Sequence, residues 1–367
     1  MPEKEDFFDR EAEEEALRKI LLSKPNLVNF IYGPINTGKT TLLTRILEDL
    51  PDEFRVFYFN FRGVEIRKYE DFVRAMFRAG KETFWDKIRS RSDSIGATLD
   101  WMEKVCGNFN EGFVLPANVI KTFVGEKKNS EKNRQDVFDY LYNLFKGIIK
   151  RGCKPVLVLD ELQMLRELRK NGIALHDMFN FMVRLTKETH VAHCLAVTSD
   201  SLFIEEIYGN ARLEGRSRNF LIDDLDKERS YDVYEAFGFQ NKELVWNYIG
   251  GKPGDMIRLN SELILGSTEK EGLELMLTDE RSRLENLLEK VQYRLFSEDK
   301  IAGTDVREIL EVLSVCSDDA QMHKGKIKPM IRRLLIEENF LFLDPVTGTV
   351  RPQGQLIRKA MKSAKVY

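Results

Sequence analysis

The stretch FIYGPINTGKTTLL, residues 30–43, constrains the fold of this chain more than any other segment. An apolar run from Leu27 to Tyr32 leads into Gly33-x4-Gly38-Lys39-Thr40, and a helix-forming segment, Leu42 to Leu50, follows. That order reads as strand, tight loop, helix. Gly33 and Gly38 let the backbone turn with its N–H groups directed inward, a nest that binds phosphate at the positive end of the next helix. Pro34, Ile35, Asn36 and Thr37 complete the cradle. Lys39 is expected to reach the β and γ phosphates and the Thr40 hydroxyl to ligate Mg²⁺, while Thr41 extends the polar helix start.

The surrounding segments repeat the alternation of strand and helix. Glu11 to Leu22 reads as an amphipathic helix with Ala12, Leu17, Ile20 and Leu21 inward, and RVFYFNF at 55–61 as a second strand. Between Tyr69 and Lys121 the pattern is helical but irregular, with Trp85 and Trp101 expected to be buried; GEKKNSEKN at 125–133 reads as an exposed loop. A helix with Val137, Leu141, Leu144 and Ile148 at helical spacing comes next, then the run Val156 to Leu159, continuous enough for a strand covered on both faces. A helix over 174–188 and a strand at 193–199 complete a parallel sheet with helices on both faces. Three short helical segments follow Leu225. The end of the chain carries helices and then FLFLD and TVRPQ, joined by Pro-Val-Thr-Gly, a hairpin pattern. The expected architecture is therefore α/β: a P-loop core over 1–225, a helical lid over 226–280 and a winged helix over 281–367.

Asp160 and Glu161 stand at the C-terminal end of the 156–159 strand, where ligands bind in open α/β sheets. Asp160 is expected to hold the Mg²⁺ shell and Glu161 to take the proton of an attacking water. Helix capping by the acidic pair is the competing explanation. Thr198 and Ser199 end the next strand, where a hydroxyl could sense the γ-phosphate, and also fit a plain turn. Arg216, with Arg218 close by, could supply an arginine finger from its own chain or from a neighbour's. Asn241-Lys242-Glu243-Leu244 lacks the Asp of an N-K-x-D guanine reader, so ATP is preferred to GTP.

Composition removes several other classes. Lys and Arg number 57 against 60 Asp and Glu, a formal charge of −3, so there is no global attraction to nucleic acid or anionic lipid. Cys106, Cys153, Cys194 and Cys316 form no C-x-x-C pair, which argues against a zinc ribbon or disulfide scaffold and fits a reducing cytoplasm. His190, His193 and Cys194 would be poor shared metal ligands, because residues three apart in a strand face opposite ways. The acidic start reads as no signal peptide, and no apolar run suggests a membrane span.

Several segments together resemble the archaeal ATPases of the STAND group, AAA+-related proteins akin to archaeal replication initiators. They are FFDREAEEEAL at 7–17, GPINTGKTTLL, LVLDELQML, GRSRNFLIDDL and YIGGKPGDM, spanning residues 7–256, with the tail extending the match. The resemblance implies that Arg10 and Glu11 lie near the adenine side, that Pro253 approaches the base, and that Arg216 reports on the phosphates. It also implies a nucleotide-controlled switch that binds ATP and ADP, with a protein partner or a second copy of itself.

Duplex DNA is the alternative partner. Residues 322–367 carry ten basic side chains, among them Lys324, Lys326, Lys328, Arg332 and Arg333, against three acidic ones, a net +7 in an acidic chain. Such a patch is the electrostatic footprint expected of a DNA-binding wing, or the solvated face of a protein-docking module.

Overall fold

A computed structural model of the chain describes residues 10–62, 130–165, 175–209, 213–293, 305–319 and 321–363. The readings made for 69–121 and for 125–129, including the burial of Trp85 and Trp101, lie outside those residues.

Five strands form the central sheet: β1 (Val28–Tyr32), β2 (Phe54–Asn60), β3 (Lys154–Asp160), β4 (His193–Thr198) and β5 (Ser217–Leu221), in the order β2-β3-β4-β1-β5. Every pairing is parallel. β1 and β4 are buried throughout, which requires helices on both faces and explains their mostly apolar sequences. In β3 the side chains alternate between two cores. Val156 and Val158 meet α1 (Glu11–Leu22) and α2 (Lys39–Glu48) through Leu17, Leu21, Leu42 and Ile46. Leu157 and Leu159 face the opposite layer, built from α3 (Ser130–Lys150), α4 (Leu175–Val183, continued by a π-helical turn) and α5 (Ser201–Tyr208).

Two sequence expectations need correction. Ala12 is exposed and Ile20 only half-buried, because the inward stripe of α1 runs through Leu17 and Leu21. Residues 130–133 belong to α3, not to a loop. The strand β5 carried no apolar signal: it is an edge strand, half-exposed along most of its length, so burial imposes little pattern on SRNFL.

Beyond the sheet, α6 (Lys227–Ala236), α7 (Lys242–Ile249) and α8 (Pro253–Ile264) pack around the buried Tyr234 and Val245. The expected boundary at 280/281 falls inside α9 (Glu269–Gln292). This helix serves two cores: Leu273, Met276 and Leu277 pack with α7 and α8, whereas Leu284, Leu287 and Val291 pack with the C-terminal elements. Those elements are α10 (Val306–Asp319), β6 (Met322–His323), α11 (Pro329–Glu337), β7 (Leu341–Asp344), β8 (Thr349–Pro352) and α12 (Gln355–Ser363). Their strands form an antiparallel sheet ordered β6-β8-β7, and the expected hairpin is β7–β8, with Gly348 in the left-handed conformation at its turn.

The C-terminal hairpin is built into the core. Phe342 joins the main core cluster and stacks on Tyr32 with ring centroids 6.5 Å apart. The Tyr32 hydroxyl donates to Asp344 Oδ1 at 2.8 Å, and the Leu343 amide donates to Ser201 Oγ at 3.3 Å. The same docking engages much of the basic patch. Lys324 pairs with Glu205 of α5 at 2.7 Å and Arg332 approaches the same carboxylate at 3.6 Å. Arg351 pairs with Asp223; within the C-terminal unit itself Lys328 pairs with Glu308 at 2.5 Å and Arg333 with Glu337 at 2.8 Å.

Candidate functional site

The loop after β1 has the shape its residues dictate. A Cβ on Gly33 would lie 2.0 Å from the Ile222 carbonyl oxygen, so only glycine allows the loop to pass the end of β5. Gly38 adopts φ 85° as the cap of α2, a left-handed conformation that glycine tolerates without strain. Asn36, at φ 60°, is the second left-handed residue in the cradle. Inside it the Lys39 ammonium donates to Gly33 O at 3.1 Å and Pro34 O at 2.6 Å. Burial, then the neighbouring charge of Lys252, pushes the Lys39 ammonium down to about 7. A polyanion in the cradle would reverse that cost.

Of the two carboxylates, Asp160 meets the start of α2. Asp160 is 2% exposed, and its Oδ2 accepts from the Tyr58 hydroxyl at 2.5 Å and the Thr40 hydroxyl at 3.3 Å. The backbone N–H of Glu161 donates to Oδ1 at 2.9 Å. Burial raises the pKa of Asp160 while the Tyr58 bond opposes the rise. A hydroxyl that lines the cavity, in contact with a buried carboxylate, fits Mg²⁺, which takes few protein oxygens and completes its shell with phosphate and water. Thr40 and Asp160 would hold it there, and it would neutralise charge on the phosphates.

Glu161 sits at φ 58°, unusual for a residue with a side chain. Its Oε2 accepts from Gln163 Nε2 at 2.5 Å, and Thr198 Oγ1 donates to Gln163 Oε1 at 2.7 Å. Thr198 therefore reaches Glu161 through an amide; Ser199 lines the cavity directly. Arg62 pairs with the other side of the Glu161 carboxylate. Tyr58 and Arg62 belong to no motif of the sequence, because nothing in their local spacing says that β2 lies beside β3.

The helices after β5 form the roof. Gly254 N–H donates to Asn36 O at 3.0 Å, and a Cβ on Gly254 would stand 2.5 Å from that of Asn36. Gly251 is as tightly placed, its Cβ position lying 1.7 Å from Leu225 O. Between them the buried Lys252 donates to Ile35 O at 3.1 Å and pairs with Asp224 at 3.0 Å. Gly254→Ala should therefore lift α8 from the loop by overpacking that costs about 1–3 kcal/mol. Nucleotide affinity measured by calorimetry is expected to fall about tenfold, the lower part of that range.

The resulting cavity has a volume of 1080 Å³. The phosphate loop, Glu161 and Ser199 line one end, and Val233, Ala236, Phe237, Met256 and Ile257 form an apolar wall suited to a flat base. Arg10 and Pro253 line it as well. Arg10, 4% exposed, donates to Thr37 O at 3.0 Å and Asp223 O at 2.5 Å, tying loop to roof. Ile336, Glu337, Asn339 and Gln353 of the C-terminal unit also reach the cavity, which no local motif had indicated. Gln353 Oε1 accepts from the Ile35 N–H at 3.3 Å.

Arg216 is the expected site residue that this arrangement leaves outside. Its carbonyl accepts from the Val28 N–H at 3.0 Å, so it lies at the N-terminal end of β1, whereas the loop leaves the C-terminal end. A five-residue strand separates them, about 16 Å at the usual rise. Arg216 thus cannot meet phosphates held by its own loop, and an arginine finger from this residue would need a second copy of the chain. His190 Nδ1 lies 2.6 Å from Pro25 O and His193 Nε2 3.0 Å from Ser23 O. Among the described residues no group of three or more His, Cys, Asp or Glu could hold a metal ion, and no helix is long and apolar enough to cross a membrane.

Comparison with known proteins decides the family. The model described as an ATPase domain predominantly from Archaea matches residues 7–259, and that of the MJ1010-like ATP-binding protein C-terminal domain matches residues 270–364. The chain belongs to the archaeal ATPase family. The chain is 38% identical to the ATP-binding protein MJ0075 of Methanocaldococcus jannaschii over 97% of each chain. It is 35% identical to the ATP-binding protein PYRAB09480 of Pyrococcus abyssi over 97% of this chain and 98% of that one. The fold is similar to that of the Walker-type ATPase PABY2304 of Pyrococcus abyssi, with a TM-score of 0.59 over 98% of this chain and 97% of that one at 14% identity.

Proposed function

We propose that this archaeal ATPase hydrolyses ATP with Mg²⁺ and acts as a switch of the STAND type, its nucleotide state setting the positions of the lid and the C-terminal unit. The observation that carries the reading is the shared cavity. One phosphate loop is bonded to the lid through Asn36 O and to the C-terminal unit through the Ile35 N–H, so a ligand that moves the loop acts on both. Lys39 would bind the phosphates, Thr40 and Asp160 would hold the metal, and Glu161 would orient and deprotonate water. The relatives named as ATP-binding support the nucleotide.

The C-terminal unit, with helices α10 to α12 around a small antiparallel sheet, supports the reading of a winged helix whose wing is β7–β8. Duplex DNA binding through α11 gains less support. Arg332 and Lys324 engage Glu205 in the docked arrangement, so the helix would have to leave the core before it could enter a groove.

Fluorescence transfer between labels at Ile264→Cys and Val346→Cys, both exposed positions, tests the switch, and phosphate release with Mg²⁺ or EDTA tests the hydrolysis. Efficiency is expected to differ between ADP and a non-hydrolysable ATP analogue, and hydrolysis to require Mg²⁺. Identical transfer in all nucleotide states would defeat the switch. Absent hydrolysis would defeat the enzyme.

A further inference from the structure

We infer that Arg62 is the chain's own terminal-phosphate arginine, held on Glu161 until a triphosphate draws it away. The inference rests on the ATPase reading above and names a residue that reading leaves without a role.

Arg62 follows β2, and its backbone is fixed beside the carboxylates. Asn60 pairs with Asp160 across the sheet, the Phe61 N–H donates to Asp160 O at 3.0 Å, and the Arg62 N–H donates to Asn60 Oδ1 at 2.7 Å. Its side chain lines the same cavity as Lys39, Thr40 and Glu161. The guanidinium pairs with Glu161 Oε1, while Gln163 donates to Oε2, so both oxygens of the expected base already accept hydrogen bonds.

The two partners of Glu161 differ in permanence. Gln163 is anchored by Thr198, but the Arg62 side chain is 75% exposed. An ion pair with so exposed a cation contributes about 0–1 kcal/mol and is easily exchanged. A terminal phosphate offers more negative charge than a carboxylate and a set of oxygens that the guanidinium fork can bridge. The exchange would add positive charge at the γ position and leave Oε1 of Glu161 able to accept a proton. ADP places no oxygens at the γ position, so the guanidinium stays on Glu161. Arg216 cannot serve this purpose within the chain, because it lies at the other end of β1.

The test compares the affinities of Mg²⁺-ADP and of a Mg²⁺-bound β,γ-imido ATP analogue by titration calorimetry in the parent, Arg62→Ala and Arg62→Lys. Loss of a hydrogen bond to a charged group predicts about tenfold or more weakening of the analogue in Arg62→Ala. ADP affinity should stay within about twofold, since the ordinary surface substitution changes little. Arg62→Lys should recover part of the preference, because an ammonium keeps the charge but loses the fork. Equal weakening of both nucleotides, or of neither, overturns the assignment while leaving a nucleotide-binding parent intact. A parent that binds neither nucleotide removes the ATPase reading and this inference with it.

Discussion

Lys39→Ala is expected to abolish nucleotide binding. The side chain is 6% exposed, supplies the cation at the centre of the loop and donates to the Gly33 and Pro34 carbonyls. Alanine leaves the backbone nest but removes the group that would follow the β and γ phosphates. ATP at a hundredfold excess over its Kd should stabilise the parent by about 2.7 kcal/mol and the variant hardly at all. Each protein is compared with itself without nucleotide in thermal unfolding, so a changed baseline does not disturb the result. Equal shifts in both would remove Lys39 from the site.

Glu161→Gln should separate binding from chemistry. The amide keeps the size of the side chain and its place beside Gln163, but it cannot take a proton from water. Loss of a general base predicts hydrolysis slower by about 10²-fold or more with ATP still bound. Single-turnover phosphate release and nucleotide titration measure the two properties independently. Hydrolysis at the parental rate would mean that Glu161 is no base, and loss of binding would mean that its place is structural.

The contrast between those residues and Arg62 marks how far local sequence reaches. Lys39, Thr40, Asp160 and Glu161 were legible because each sits at an element end whose identity follows from a few neighbours. Gly33 and Gly38 bound one loop, and the carboxylates end one apolar strand. Arg62 and Tyr58 touch the same chemistry, yet their positions depend on β2 lying beside β3, whose paired residues, from Phe54 and Lys154 onward, are 100 positions apart. Arg216 failed as a site residue of its own chain for the same reason. Its distance from the phosphates is set by the parallel register of β5 on β1, and β5 itself was hidden by its half-exposed edge position.

The sequence alone determined the P-loop, the buried strands β1, β3 and β4, the helices of the lid and the β7–β8 hairpin. In each the requirement is local: a glycine where the chain must turn, an apolar run where both faces are covered, a helical period where one face is buried. Tertiary structure alone decided what the roof and the C-terminal unit do. Gly251 and Gly254 look like loop glycines until the Leu225 carbonyl and Asn36 press against them, and Gln353 looks like a surface amide until it meets the Ile35 N–H. The basic tail shows the same limit, since a net charge counted along the chain does not reveal that Glu205, from another element, neutralises Lys324 and Arg332. Contacts between distant segments depend on which surfaces the folded chain brings together, and no short-range pattern encodes that.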